Sequence, residues 1–152
     1  MKRVFSVILV VMMVAVMMTA CGSSAFTVDF DTLYDTYESY LPEMVVLDDK
    51  AMMNLYGVDA EKCEQAIIAN SSDGLLSDEV WLIEAVDEAA AAEIVELAQN
   101  RVEREKEETK SYAPDQYAIV EKAKIINDNN FVVLIISPDV DTLVEVYENA
   151  KV

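Results

Sequence analysis

The stretch Val80-Trp81-Leu82-Ile83-Glu84-Ala85-Val86 constrains this chain more than any other. A strand with one wet face alternates apolar and polar residues, whereas this run is apolar on both faces. It must be a central strand covered on each side, or one whose Trp81 face is buried by a helix. A second apolar run, Ala66-Ile67-Ile68-Ala69, lies just upstream. The turn-forming Ser71-Ser72-Asp73-Gly74 separates the two, so they read as paired strands.

Helical periodicity accounts for the segments around them. Phe30, Leu33, Tyr34, Tyr37 and Leu41 recur on one face of an amphipathic helix that ends near Pro42. An aromatic stripe of this kind points to a helix packed on its own core rather than to a cofactor surface. Residues 48–59 read as an acid-capped short helix stopped by Gly57 in the left-handed conformation, with Val58 set to touch Met53. From Asp87 to about Thr109 runs the strongest helix, with Ile94, Ala98 and Val102 in one row. Its last turns carry both signs of charge at i and i+4, as in Arg101 with Glu105 and Arg104 with Glu108, the mark of a solvated face. Ala113-Pro114 breaks it.

Tyr117 to Ile126 and Phe131 to Ser137 flank Asn127-Asp128-Asn129-Asn130, whose asparagines tolerate the positive φ of a hairpin turn. Ser137-Pro138-Asp139 then caps a final helix that carries Leu143, Val144, Val146 and Tyr147. These elements predict an α+β fold, an antiparallel β-sheet of about four strands with helices packed mainly on one face. Glycine and aspartates in this chain serve as helix stops and caps: no D-x-[DN]-x-[DN]-G loop accompanies Asp48, Asp49 and Asp59, and capping accounts for Asp139, Asp141 and Glu145.

The first 20 residues are of another kind. Met1-Lys2-Arg3 and the apolar run Val4 to Ala20 have the charged start and core of an export signal, and the run leaves through small residues rather than a charged stop. Met18-Thr19-Ala20-Cys21 resembles the lipobox of bacterial lipoprotein precursors. The resemblance implies that Cys21 is diacylglycerated, that cleavage precedes it, and that two further features follow: permanent attachment to the membrane and a location at the outer face of the bacterial cytoplasmic membrane. The expected organisation is a signal peptide over residues 1–20, a lipidated cysteine with a short tether over 21–27, and a single α+β domain over 28–152.

Loss of Lys2 and Arg3 moves the formal net charge from −18 to −20, which makes nucleic acid and other polyanions poor partners. With Cys21 taken by lipid, Cys63 has no intrachain partner, and stability must come from the core. Its acidic neighbours Glu61 and Glu64 argue against a reactive thiolate, so it reads as a small core or strand residue. The chain has no histidine, hence no Ser-His or Cys-His nucleophile, no histidine general base and no zinc site of the usual kinds. No cofactor is implied.

Leu41-Pro42-Glu43-Met44, Leu55-Tyr56-Gly57-Val58-Asp59, Arg101, Tyr112-Ala113-Pro114-Asp115-Gln116-Tyr117 and the Phe131 to Ser137 strand together resemble a family of small lipoproteins of Gram-positive, largely gut-dwelling bacteria. Its domain is of unknown function, of the 4358 type. The resemblance implies location and fold, not activity. Two functions stay open. One is a non-catalytic, lipid-anchored module that binds an envelope protein or small ligand, with Arg101, Tyr112, Gln116 and Tyr117 as the candidate surface because they combine aromatic area with donors. The other is a carboxylate- or cation-dependent hydrolase of the cell envelope, which requires two or more acids converging in a cleft.

Overall fold

A computed structural model describes residues 26–152; Cys21, the signal and the start of the tether lie outside the described residues. In chain order the elements are α1 (Phe30–Tyr37), β1 (Met44–Val46), α2 (Asp49–Tyr56), β2 (Cys63–Ser71), β3 (Glu79–Ala85), α3 (Glu88–Tyr112), α4 (Pro114–Val120), β4 (Lys124–Asp128), β5 (Phe131–Ile136) and α5 (Val140–Ala150). A 3₁₀ turn, Ala60–Lys62, leads into β2.

The five strands form one antiparallel sheet in the order β1-β2-β3-β5-β4. β3 is central, as its doubly apolar sequence requires. Trp81, Ile83 and Ala85 join Ile68, Val132, Leu134 and Ile136 in a core roofed by α2, α3 and α4. Val80 and Leu82 join Val133 and Ile135 in a second core under α1 and α5. Most helical residues therefore lie on one face, in an α+β arrangement, and α1 and α5 close the other. Tyr37, fully buried in that second core, donates its hydroxyl proton to the Leu143 carbonyl at 2.8 Å and so ties α1 to α5.

Local chemistry sets most boundaries. Asp29, Asp48 and Asp87 each accept a hydrogen bond from the backbone N–H three residues on, at the starts of α1, α2 and α3. Gly57 ends α2 at φ 75°, its N–H on the Met53 carbonyl. Val58 then turns into the core beside Met52 and Tyr56, while Met53 stays exposed. The α1 helix stops at Tyr37, short of Leu41, which still packs against the core.

Two segments depart from the sequence reading. β1 is a three-residue edge strand whose Val45 and Val46 are exposed, too short to show a period. Residues 114–120 are helix α4, not the start of the hairpin's first strand. Ala113, at φ −141°, is pushed out of the helical region by the proline that follows it, and Pro114 then opens a new helix at a position where a missing N–H costs nothing. The hairpin itself is shortened to β4 and β5 around Asn129-Asn130, with Asn129 at φ 58°. At the last helix Ser137 Oγ accepts from the Asp139 N–H at 3.2 Å, but the helix begins at Val140, so Asp139 rather than Ser137 takes the N-cap position and Pro138 lies before the first turn.

Candidate functional site

Glu79 opens β3 two residues before Trp81, and the pleat puts both side chains on the face beneath α3. The carboxylate is 1% exposed, a position that is costly for a charge unless donors surround it. They do. Trp81 Nε1 donates to Oε1 at 2.8 Å, the Tyr56 hydroxyl donates to Oε2 at 3.2 Å, and Arg101 Nε and Nη2 donate to Oε2 at 2.9 and 2.7 Å. Arg101 comes from the middle of α3, its guanidinium 5.4 Å from the centre of the Tyr56 ring. Its Nη1 pairs with Glu105 one turn on. Glu105 in turn accepts from Ser77 Oγ, and the Ser77 N–H donates to Gln116 Oε1, both at 2.9 Å.

One network thus joins α2, β3, α3 and α4. Burial disfavours charge on Arg101, but the hydrogen bonds and charge of Glu79, with that of Glu105, outweigh it and raise the guanidinium pKa above its usual value. Burial, then the Glu79 charge, pushes Tyr56 up to about 12. The phenol is therefore a proton donor to Glu79 at any physiological pH.

Asn70 on β2 completes the network by donating Nδ2 to the Tyr56 oxygen. An ionised Glu79 can only accept, so the Tyr56 proton points at it and the phenolic oxygen must take its own bond from an N–H. That fixes the amide orientation and leaves Asn70 Oδ1 buried without a hydrogen-bond partner.

Above this network is a recess of about 450 Å³, floored by Tyr56, Asn70 and Arg101 and rimmed by the exposed side chains of Asn54, Leu55, Arg104 and Glu108. Arg104 Nη2 reaches the Leu55 carbonyl near the end of α2 at 3.4 Å. The recess sits at the Glu79 end of the sheet. Phe26, where the described chain begins, stacks on Phe131 at 5.0 Å, and Phe131 pairs with Glu84 at the opposite end of β3. Five residues of strand, about 17 Å, separate the two ends.

Of the candidate surface residues, Arg101 and Gln116 belong to the buried network, each held by partners inside the fold. Tyr112 is 91% exposed at the end of α3. Tyr117 is half-buried, with its phenol pKa raised first by a hydrogen bond to Glu121. The structure therefore joins the first pair and leaves the tyrosines outside. Glu79 and Asn70 lie just outside the apolar runs that mark the two strands, and Tyr56 sits in the helix stop, so none of the three stands out in the sequence as a site residue. The available signal was Glu79 itself, a carboxylate on the Trp81 face of a strand that has to be buried.

Cys63 lies at the start of β2, half-buried, its thiol on the Asp59 carbonyl at 3.5 Å. Burial, then Asp59 and Asp49, raises its pKa, so acid neighbours do act on it, though not Glu61 and Glu64. Among the described residues no group of three or more acids or thiols is placed to hold a metal ion, and no helix is long and apolar enough to cross a membrane.

The family model for the domain of unknown function DUF4358 matches residues 36–137, which run from α1 to the end of β5 and include the whole network. The chain belongs to this family. No curated protein and no solved structure matches it.

Proposed function

We propose that this chain is a lipid-anchored, extracytoplasmic binding or accessory module without catalytic activity, held through Cys21 at the outer face of the bacterial cytoplasmic membrane. The observation that carries the reading is the placement of the recess at the end of the sheet opposite Phe26. A domain tethered on the Phe26 side holds this recess away from the headgroups, open to what the envelope contains. The tether from Cys21 is short, and the acidic body is repelled by an anionic bilayer, which favours that upright stance.

The chemistry of the recess also favours binding over turnover. The Glu79 lone pairs are taken up by Trp81, Tyr56 and Arg101, so the buried carboxylate is not free to move a proton or attack a substrate. A hydrolase of the paired-carboxylate kind needs two acids facing the same bond, and Glu105 is itself committed to Arg101 and Ser77.

A photo-crosslinking side chain placed at Asn54 on the rim, in the lipidated protein in its native membrane, tests this. A discrete adduct found by mass spectrometry, lost in Cys21→Ser and absent when the probe is at Asp31 on α1, is the expected result. No adduct at Asn54, or the same adducts from Asp31, would overturn the reading.

A further inference from the structure

The rim of the recess carries two opposite charges that do not neutralise each other. Arg104 and Glu108 are one turn apart on α3, a spacing at which such pairs commonly close. No ion pair forms between them; the guanidinium turns instead to the Leu55 carbonyl through a long 3.4 Å bond. Both side chains are exposed, and both line the recess. The recess thus offers a planar cation and an anion, with Leu55 as apolar wall.

Charge balance narrows the ligand further. Glu79, Glu105 and Glu108 stand against Arg101 and Arg104, so the immediate surroundings are net negative by one, in a chain that is itself strongly acidic. A phosphate or dicarboxylate would add repulsion that the Arg104 guanidinium alone does not offset. A simple cation would leave Arg104 unused. From these features we infer that the recess takes a small zwitterion of the α-amino-acid class, its carboxylate on Arg104 and its ammonium on Glu108. The pairing is charge-assisted at both ends, and planar carboxylate recognition is what a guanidinium does best.

This inference rests on the recess being the ligand site proposed above. The source of the zwitterion is either a free amino acid or a dipeptide, and the two are separable by titration. The test is calorimetric titration of the full chain in detergent with glycine, L-alanine and L-alanyl-L-alanine, with acetate and ethylammonium as the separated halves. The expected result is saturable binding of at least one zwitterion, at least about tenfold tighter than either half, and weakened about tenfold or more by Arg104→Gln and by Glu108→Gln. Tighter binding of alanine than of the dipeptide assigns the site to free amino acids, and the reverse order to peptides. Both substituted residues are exposed, so the fold is expected to survive, and an unchanged thermal midpoint checks that. Binding that both variants leave intact, or no binding at about 10 mM zwitterion, would overturn the inference. If zwitterions fail but the Asn54 probe still gives its Cys21-dependent adduct, the ligand class is wrong and the binding module stands.

Discussion

The guanidinium of Arg101, with its side chain 12% exposed, meets Glu79 and Glu105 at once. Removing one partner of a buried pair strands the other charge, which costs about 3–5 kcal/mol, whereas replacing both with apolar residues of similar volume is often close to neutral. Arg101→Met is therefore expected to destabilise the domain by about that amount, and Glu79→Leu with Arg101→Met to recover only part of it, because the buried Trp81 and Tyr56 donors then lose their acceptor and Glu105 its guanidinium. Urea unfolding followed by Trp81, the only tryptophan and a direct hydrogen-bond partner of Glu79, reads both. Tyr112→Ala, at an exposed position, should change stability by less than about 0.5 kcal/mol. Asp78 offers a test by pH. Burial raises its carboxyl pKa, and a Ser137 hydrogen bond lowers it only in part. The folded chain then keeps the Asp78 proton to higher pH than the unfolded chain, so this group's contribution to stability falls as pH rises through the window just above the ordinary aspartate value of about 3.9. Asp78→Asn should flatten that fall and leave neutral-pH stability unchanged or higher; a lower neutral-pH stability would contradict it.

At the scale of elements, the helix stops and the hairpin turn depend on backbone conformations that side chains resist. Gly57 sits at φ 75°, and a Cβ there would only touch Leu97 Cδ2 at 3.5 Å, an ordinary contact. Gly57→Ala is thus expected to cost about 1 kcal/mol through the left-handed backbone alone, measurable as a shift in the urea midpoint with unchanged slope. Much of this level was legible in the sequence: the acid cap at Asp48, the Gly57 stop, the paired β2 and β3, and the Asn129 turn each follow from residues whose chemistry admits few alternatives. The misreading at 117–120 has a plain cause. Tyr117-Ala118-Ile119-Val120 is apolar enough for either a strand or a short helix, and Pro114 decides for helix only if its N1 preference is weighed above its role as a breaker. The edge strand β1 gave no signal because its pairing with β2, not its own pattern, makes it a strand. The site was less legible than the fold. Arg101 was visible as a charge on a helix, but its i,i+4 pairing with Glu105 read as a solvated face, whereas both side chains are largely buried and its further partner Glu79 is 22 residues away in sequence.

On the scale of the whole molecule, two cores on either side of one sheet hold the recess and the start of the described chain at opposite ends. The formal net charge of −18 favours repulsion from an anionic bilayer, as the proposed upright stance requires. Everything in the functional reading that concerns location depends on one covalent event at Cys21, and that event has a mass. Intact-mass and N-terminal peptide spectrometry of the protein extracted from its native membrane should find a chain that begins at Cys21 and carries a diacylglyceryl group, with no detectable Met1 to Ala20 segment. A chain that keeps Met1 to Ala20, or that bears an unmodified Cys21, would contradict the anchored module directly.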